Sequence, residues 1–355
     1  MSHVRLHDFR SYGRQELELA QGLVLVVGPN GAGKTNLLEG IHLGSQGFSF
    51  RTRRDAGVVR FGTDTARVEL RGLVREATPF ATQITVGRGG TKQIELDGAA
   101  VRSHEELRRR LSVLVFTPDR LAVVKGSPAI RRRYLDRMIS RLSPSKAALP
   151  AEYGAALAQR NAALRRVRAG LLERDAVRPW TDAVARLGDD LERARGETVA
   201  VIAPRFSAEA EVLGLAAADL RYQASDVTVD ALEERLERDV ERGTTGIGPH
   251  LQDVELTAAR MELRIYGSQG QQRVAMLALL LAELRALSSE RAETPLLLLD
   301  DVLSELDDGR RRALLNSVPA GCQVLVTSTT ERAVPTDAPG PAQVIEVAAG
   351  TARQR

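Results

Sequence analysis

The sequence has 355 residues, of which 43% are hydrophobic, and it carries a formal net charge of +4. This length is typical of about two domains, and the composition predicts a sizeable core. No apolar run reaches the roughly 18 residues of a membrane-spanning helix, and the N-terminus has no apolar signal region. The single cysteine, Cys322, excludes an internal disulfide and a cysteine zinc site. We therefore expect a cytoplasmic protein without a membrane partner.

The N-terminal part of the chain predicts a hairpin, followed by a strand, a glycine turn and a helix. Residues 3–20 alternate like a hairpin, and residues 23–44 (LVLVVGPNGAGKTNLLEGIHLG) pass from a buried strand into a helix. The turn fits GxxxxGKT, in which backbone N–H groups converge on phosphate oxygens, the lysine reaches the β- and γ-phosphates and the threonine ligates Mg²⁺. The predicted nucleotide-binding residues are Gly28, Pro29, Asn30, Gly31, Ala32, Gly33, Lys34, Thr35 and Asn36.

The middle of the chain changes character near residue 120. Residues 67–101 alternate with period two and predict antiparallel hairpins, and residues 111–119 predict a core strand. From residue 121 to residue 242 the chain is charged, alanine-rich and helical in pattern. The later predicted elements are strands at 250–258 and 261–268, a helix from Gln271, a strand at 295–301, a helix at 307–318 and a strand at 322–329. We predict an α/β domain of residues 1–120 and 244–355, with an antiparallel β lobe, split by a helical insert of residues 121–243.

An acidic pair follows the apolar strand LLLLDD at residues 296–301. Ligands bind at the carboxyl ends of strands in open α/β sheets, so these carboxylates are expected beside the glycine turn. Asp300 is predicted to hold Mg²⁺, and Asp301 to polarise the attacking water, with Lys34 as the other catalytic residue. The alternative is an ordinary acidic turn after a strand.

A second glycine-containing helix start, SQGQ at residues 268–271, has a phosphate-binding character. Ser268 is a natural N-cap, Gly270 lets a backbone approach a phosphate, and Gln271 is placed to donate a hydrogen bond. The alternative is a plain helix start after a hairpin.

The order of these motifs resembles that of the ABC-type ATPases: GxxxxGKT, then SQGQ, then LLLLDD, then SELD at residues 304–307. Within that class the chain resembles the SMC-like DNA-repair heads, and most closely the RecF recombination-mediator family, over nearly its whole length. Any ABC-type ATPase shares GPNGAGKTN and LLLLDD, whereas QRNAALR at residues 159–165 and GPHLQD at residues 248–253 indicate RecF.

The resemblance implies a fold, a cofactor and partners. The fold would be an ABC-type (SMC/RecF-like) P-loop ATPase head whose helical insert stands in place of the SMC arms. Two chains would bind head to tail, with ATP and Mg²⁺ between the Walker A loop of one and the SQGQ signature of the other. The implied function is ATP-dependent binding of double-stranded DNA with weak, DNA-dependent ATPase activity, acting with RecO and RecR to load RecA at gaps or junctions between single and double strands.

The resemblance also implies roles for individual residues. By position, Arg10 and Ser11 would contribute to the nucleotide site and Asp119 would contact metal or water. The signature acting in trans comprises Ser268, Gln269, Gly270 and Gln271, and the D-loop includes Ser304 and Asp307.

Three departures from the ABC pattern concern hydrolysis more than binding. Gln269 replaces a usual glycine, Asp301 is one methylene shorter than the usual glutamate, and residues 327–329 contain no histidine. We interpret the chain as a slow ATPase whose bound ATP holds a dimer together.

DNA binding is expected through arginines. Residues 102–141 contain eleven Lys/Arg against four Asp/Glu, which fits a phosphate-backbone footprint, although solvated helix faces are the alternative. Aromatic residues are only 4% of the chain, so duplex backbone binding is favoured over stacking on single strands. The candidate DNA contacts are Arg108, Arg109, Arg110, Arg131, Arg132 and Arg133.

Three other classes of protein are alternatives to this interpretation. An ATPase subunit of an ABC-type transporter uses the same motifs but usually places its signature nearer the Walker A loop. An SMC-type arm is excluded by length, because residues 181–208 as one helix would reach only about 40 Å. A P-loop kinase would not need SQGQ, and His250, which follows Gly248-Pro249, is more simply a structural histidine than a nucleotide contact.

Overall fold

The computed structural model describes residues 1–74, 78–101, 104–291 and 294–355, without the side chains of residues 104, 105 and 109. The chain forms two compact units. Unit 1 comprises residues 1–120 and 287–355, and unit 2 comprises residues 121–286.

The elements of the first segment of unit 1 are mostly strands. They are β1 (His3–Phe9), β2 (Tyr12–Glu18), β3 (Leu23–Val27), α1 (Lys34–Gln46), β4 (Thr65–Val74), β5 (Thr78–Gly87), β6 (Lys92–Leu96), β7 (Ala99–Ala100), α2 (His104–Arg110) and β8 (Val113–Phe116).

The elements of unit 2 are mostly helices. They are α3 (Ala122–Lys125), α4 (Pro128–Leu142), α5 (Leu149–Arg168), α6 (Arg178–Val212), β9 (Ala218–Tyr222), α7 (Val229–Glu234), α8 (Leu236–Arg242), β10 (Val254–Ala258), β11 (Met261–Glu262), α9 (Leu263–Tyr266) and α10 (Gln269–Arg291). The end of α10 belongs to the second segment of unit 1, which continues with β12 (Leu296–Leu299), α11 (Asp308–Asn316), β13 (Val324–Ser328), β14 (Gln343–Ala348) and β15 (Thr351–Gln354).

Unit 1 contains two six-stranded sheets. The antiparallel sheet has the order β2-β1-β4-β5-β6-β7, and the other has the order β15-β14-β3-β13-β12-β8. In the second sheet β14, β3, β13, β12 and β8 are parallel, and their apolar runs are typical of strands buried on both faces. Because β3 and β12 are parallel and both border β13, the glycine turn and the acidic pair emerge at the same sheet edge.

Helix α1 contributes to a core shared with both sheets. Leu37 and Ile41 are fully buried in one cluster with Leu6 of the antiparallel sheet and Leu298 of the parallel sheet. The helix approaches the antiparallel sheet closely, since a Cβ at Gly44 would lie 2.7 Å from the side chain of Leu70. Glycine at this position lets the C-terminal end of α1 pack closely against the antiparallel sheet.

Unit 2 surrounds the long helix α6. This helix has 35 residues, which corresponds to about 50 Å. Val184 and Leu191 of α6 are buried with Tyr153 of α5 and Ile139 of α4. Helices of 18 residues or more that are apolar enough to cross a membrane are absent from the described part of the chain.

A buried polar network joins α5 to the segment after α8. Arg160 is fully buried and donates hydrogen bonds to Asp239 Oδ2 and Thr245 Oγ1, both at 2.8 Å. The Asn161 side chain accepts a hydrogen bond from the backbone N–H of Thr245 at 2.8 Å. The RecF-like sequence QRNAALR therefore supplies internal contacts of unit 2.

His250 has a structural position in the same region. Its Nδ1 lies 2.7 Å from the Tyr153 hydroxyl, and its Nε2 lies 3.0 Å from the carbonyl oxygen of Thr245. Burial lowers the pKa of the His250 imidazole. Both ring nitrogens have partners in unit 2, which supports the structural interpretation of this histidine.

Replacing Arg160 by alanine is expected to lower the free energy of unfolding by about 3 kcal/mol, because Asp239 would be left buried without its cation. Urea denaturation of the full chain measures this loss. The matched control is Arg193→Ala, which removes an exposed i,i+4 pair with Asp189 and is expected to cost less than about 1 kcal/mol. Equal losses in the two variants would contradict the role given to Arg160.

Two features differ from the sequence-based prediction. Residues 244–286 cluster with the helical unit rather than with residues 1–120, because β10 pairs with β9 across the predicted boundary. The strand predicted at 261–268 is wrong beyond Glu262, since residues 263–266 form one helical turn closed by a hydrogen bond from Gly267 N–H to the Leu263 carbonyl at 3.1 Å.

Candidate functional site

The glycine turn between β3 and α1 leaves its strand at the carboxyl edge of the parallel sheet. Gly33 has a φ of 117°, and a Cβ there would lie 2.9 Å from Ser11 Oγ. The Tyr12 hydroxyl donates a hydrogen bond to the carbonyl oxygen of Gly33 at 3.0 Å. Only glycine satisfies both the backbone angle and the space, so the loop is held tightly at the start of α1.

Lys34 is folded over this loop. Its Nζ donates hydrogen bonds to the carbonyl oxygens of Gly28 at 2.7 Å and Pro29 at 3.0 Å. Burial lowers the pKa of the Lys34 ammonium, and the carboxylates of Asp301 and Asp300 oppose that effect. The ammonium is therefore held against the loop carbonyls and is stabilised by the charge of the acidic pair.

Thr35, Asp300 and Thr327 form a hydrogen-bonded chain. The Thr35 hydroxyl lies 2.9 Å from both carboxylate oxygens of Asp300, and the Thr327 hydroxyl donates to Asp300 Oδ1 at 2.9 Å. Burial raises the pKa of the Asp300 carboxyl, and the hydrogen bonds from the two threonines counteract this rise. The carboxylate is fixed in orientation at the foot of the glycine turn.

Asp301 is attached to the same chain through its backbone. Its N–H donates a hydrogen bond to Thr327 Oγ1 at 2.8 Å, and its φ of 51° lies in the left-handed region. Its Oδ1 is buried and has no hydrogen-bond partner among the residues described. Such an acceptor is placed to receive a hydrogen bond from a water or a ligand.

A cavity of about 370 Å³ connects these groups. Eight of the predicted residues line it: Asn30, Gly31, Gly33, Lys34, Thr35, Asn36, Asp300 and Asp301. Arg51 and Thr327, which the sequence analysis did not assign to the site, also line it. Thr327 lies near the end of β13, next to β12, at the place where the ABC pattern has a histidine, so its position could have indicated a site residue. No sequence pattern indicates Arg51.

Arg10 and Ser11 contact residues of α1 next to the site. Arg10 forms a two-point ion pair with the fully buried Glu39, at 2.9 and 2.6 Å. Ser11 Oγ accepts a hydrogen bond from the Asn36 side chain at 3.0 Å. Arg51 donates to Asn36 Oδ1 at 2.8 Å and lies 3.4 Å from Glu39. Neither Arg10 nor Ser11 is among the cavity-lining residues. In this structure they hold Glu39 and Asn36 in place and do not face the nucleotide cavity themselves.

Asp119, Ser304 and Asp307 are exposed and lie outside the cavity lining. Ser304 donates a hydrogen bond to the carbonyl oxygen of Asp301 at 3.1 Å. Asp307 caps helix α11 by accepting from the N–H of Arg310 at 2.9 Å. The D-loop is therefore joined to the acidic pair, whereas Asp119 has no contact with the cavity within the described residues.

The SQGQ motif forms a reciprocal capping box at the start of α10. The Ser268 hydroxyl accepts a hydrogen bond from the Gln271 N–H at 3.2 Å, and Gln271 Oε1 accepts one from the Ser268 N–H at 2.9 Å. All four residues of the motif are exposed, and a Cβ at Gly270 would meet only Ser268 Oγ, at 3.9 Å. The helix start is open to a ligand.

The predicted arginine footprint needs a correction at Arg131. Its guanidinium is buried and forms a two-point ion pair with Asp253, at 2.8 and 2.6 Å, so it is not free for a phosphate. Arg132 is partly buried and donates to the Gln252 carbonyl at 2.6 Å, whereas Arg133 is exposed. Successive helical residues point in different directions, so three adjacent arginines cannot share one face.

The other arginine group lies in α2. Arg108 is exposed and its guanidinium lies 4.8 Å from the Phe48 ring centre. Arg110 forms an ion pair with Asp97 at 3.2 Å. The side chain of Arg109 lies outside the described residues.

The residues present fit Mg²⁺. Clusters of three or more His, Cys, Asp or Glu suited to a metal are absent from the described part of the chain. Mg²⁺ beside a nucleotide needs no such cluster, because it binds one or two carboxylates, waters and phosphate oxygens. The adjacent Thr35 hydroxyl and Asp300 carboxylate, with the unpartnered Asp301 Oδ1, provide suitable oxygen donors.

Comparison with known proteins gives one consistent result. Residues 1–351 match the family described as the RecF/RecN/SMC N-terminal domain. The DNA replication and repair protein RecF of Heliobacterium modesticaldum is 36% identical over 366 residues, which cover 98% of this chain and 97% of that protein.

Solved structures agree with the sequence comparison. A structure of the recombination mediator protein RecF with ATP, described as belonging to the RecFOR pathway, matches with a TM-score of 0.87 and 26% identity, covering 100% of this chain and 97% of that one. An Smc head bound to the C-terminal winged-helix domain of ScpA matches with a TM-score of 0.61 and 16% identity, covering 100% of this chain and 97% of that one. The fold is that of an ABC-type ATPase head.

Proposed function

The chain belongs to the RecF family of DNA replication and repair proteins, and from that premise we propose that it binds double-stranded DNA in an ATP-dependent manner as an ATP-sandwich dimer. The hydrogen-bonded chain from Thr35 through Asp300 and Thr327 to Asp301, beside the glycine turn, is the observation that carries the ATPase part of this proposal.

The nucleotide is assigned to the cavity at the glycine turn. Backbone N–H groups of the turn and the Lys34 ammonium bind the β- and γ-phosphates, and Thr35 and Asp300 hold Mg²⁺. When bound, Mg²⁺ neutralises part of the phosphate charge. Arg51 adds a second cation at the cavity wall, held in place by Asn36 and Glu39.

Asp301 is assigned as the residue that orients and polarises the attacking water. Its buried Oδ1 has no partner within the described residues, and its backbone is fixed by Thr327. Aspartate reaches less far than glutamate, and Thr327 cannot take a proton as a histidine would. Both features fit slow hydrolysis.

The exposed SQGQ capping box completes the site of a second chain. Its helix N-terminus offers free N–H groups and the positive end of the helix dipole, which favour an anion. Because ATP contacts both chains in this arrangement, its binding favours the dimer and its hydrolysis favours dissociation.

The proposed cellular role is recombinational repair. The dimer binds double-stranded DNA at gaps or junctions, and acts with RecR and RecO to place RecA. Its family membership supports this role, and the exposed side chains of Arg108 and Arg133 are the remaining described candidates for phosphate contacts from the predicted footprint.

An ATPase subunit of an ABC-type transporter remains the alternative function, and binding of linear duplex DNA distinguishes the two. We expect the full-length protein to bind fluorescent duplex DNA with ATP at least about tenfold more tightly than with ADP or without nucleotide, as the dimer forms. Affinity should also fall as salt rises, with a log–log slope set by the number of phosphate contacts. Equal and weak binding in all three nucleotide states would overturn the proposal.

Replacing Thr327 by valine is expected to lower the ATP turnover number about tenfold with little change in KM, because both acidic residues lose a hydrogen bond that orients them. Steady-state ATPase assays measure the two constants separately. The control is Thr327→Ser, which keeps the hydroxyl and should restore most of the turnover. A loss of equal size in both variants would show that the hydroxyl is not responsible.

A further inference from the structure

Phe61 is presented to solvent on a turn of unit 1. Its side chain is 97% exposed, whereas the other six phenylalanines of the chain are buried or partly buried. The turn directly precedes β4, and Gly62 completes it with a φ of 88°. An aromatic ring with almost no contact in its own chain retains its full surface for another molecule.

The turn is held in one conformation by hydrogen bonds on both sides. Arg60 N–H donates to the Asp8 carbonyl at 2.8 Å, and Thr63 N–H donates to the Arg60 carbonyl at 3.2 Å. Arg88 clamps the turn from the β5–β6 hairpin, through its Nε to the Thr63 carbonyl at 2.9 Å. The ring is therefore carried by an ordered support rather than by a loose loop.

A basic row lies beside this turn on the outer face of the antiparallel sheet. His7 is directly opposite Arg14 on β2 and Arg67 on β4, and all three side chains are exposed. Within the described residues neither Arg14 nor Arg67 forms an ion pair or side-chain hydrogen bond. The two arginines flank His7, whose Nδ1 lies 3.4 Å from Asp8, and their uncompensated charges favour an external anion.

The next row of the same face shows that this charge is local. There Arg5 lies between Glu16 and Glu69 and pairs with both, at 2.8 and 3.4 Å. Near the turn the carboxylates are Asp8, which lies 3.9 Å from Arg60, and the exposed Asp64. The arginines of the turn, of its contact with the β5–β6 hairpin and of the basic row outnumber them: Arg14, Arg60, Arg67 and Arg88.

We infer that Phe61 stacks on an unpaired nucleobase of bound DNA while the surrounding arginines contact the adjoining phosphates. This inference rests on the proposed DNA-binding function and identifies a contact for its single-stranded portion. An exposed flat ring on a turn next to a basic row complements a base and its phosphates. A base inside a paired duplex does not offer its face, so the contact selects gaps, ends or junctions.

The test compares a fully paired duplex with the same sequence containing a single-stranded gap, using full-length protein, ATP and fluorescence anisotropy. Phe61→Ala should lower affinity for the gapped DNA about tenfold, the effect of losing one stacked base, and leave affinity for paired duplex within about twofold. Leu171→Ala is the matched control, since Leu171 is an exposed hydrophobic residue of unit 2, at 69%. It should change neither affinity.

A spectroscopic variant reports the contact directly. The chain has one tryptophan, so Trp180→Phe combined with Phe61→Trp places a single fluorophore at the turn. Its emission should be quenched by gapped DNA and much less by paired duplex. If Phe61→Ala lowered affinity for both DNAs equally, or for neither, the inference would be overturned. Unchanged affinity for both would instead favour an apolar pocket of a protein partner as the site that Phe61 binds. A wild-type protein that binds neither DNA would overturn the proposed function as well.

Discussion

Replacing Ser268 by arginine is expected to abolish the ATP-dependent dimer while each chain still binds ATP. Ser268 and Gln271 are exposed at the start of α10, where the side chain of each accepts a hydrogen bond from the backbone N–H of the other. An arginine here removes the N-cap and holds the helix N-terminus several ångströms from any approaching phosphate. Hydrogen bonds to charged groups contribute about 1.5–3 kcal/mol each, so losing two weakens the dimer by a factor of about 100 or more.

Sedimentation of the wild type and the variant with ATP, with ADP and without nucleotide measures this effect. Thr228→Arg is the matched control, because Thr228 caps α7 in the same unit by accepting a hydrogen bond from Ala231 N–H. Both variants lose an N-cap worth about 1 kcal/mol, and only Ser268→Arg should lose the dimer.

A second substitution separates contact from folding. Gly270→Leu adds a side chain that meets only Ser268 Oγ within its own chain, and glycine is a poor helix residue. The variant should fold at least as well as the wild type and still fail to dimerise. An ATP-dependent dimer that persists in both Ser268→Arg and Gly270→Leu would overturn the assignment of SQGQ to the interface.

Replacing Asp301 by asparagine is expected to lower the ATP turnover number by a factor of about 100 to 10,000, the usual contribution of a general base, without loss of ATP binding. Asparagine is suited to the φ of 51° at this position, because asparagine and aspartate both tolerate the left-handed region. The backbone hydrogen bond to Thr327 does not depend on the side chain. The dimer should then persist longer with ATP, since hydrolysis no longer dissociates it.

Single-turnover hydrolysis, equilibrium ATP binding and sedimentation together measure these consequences. Asp308→Asn is the control, because Asp308 is an exposed aspartate of the same strand-to-helix segment, lies outside the cavity lining and has no assigned role in the site. It loses only an exposed i,i+3 ion pair with Arg311, so this variant should retain turnover within a few-fold. If Asp301→Asn turned over ATP as the wild type does, or if the wild type were as fast as a transport ATPase, Asp301 would not be the polarising residue of a slow enzyme.

Much of the site could be predicted from sequence because it depends on local pattern and sheet geometry. An apolar run followed by GxxxxGKT, and another followed by Asp-Asp, predict two parallel strands, and parallel strands bring their carboxyl ends to one edge. The pairing of Thr35 with Asp300 follows from these two facts. Arg51 could not be predicted, since its place in the cavity depends on the path of an irregular segment after α1.

The wrong predictions concern short sequence patterns that are compatible with two different structures. Residues 261–268 alternate like a strand, but a run this short does not distinguish a strand from a helical turn, and the chain turns helical at Leu263. The three arginines of α4 suggested one charged face, yet the 100° step of a helix directs Arg131 into the interior and Arg133 to solvent.

The segment that follows α8 has a further consequence for motion in unit 2. Residues 243–250 contain no helix or strand, yet Thr245 N–H is bonded to Asn161 and Gly246 N–H to Asp239, at 2.8 and 3.1 Å. Opening this segment would expose the buried Arg160 and its partners, so its local unfolding free energy should approach that of the helices around it. We therefore expect this loop to be as rigid as the helices around it. Any hinge of unit 2 is then expected to lie outside residues 243–250.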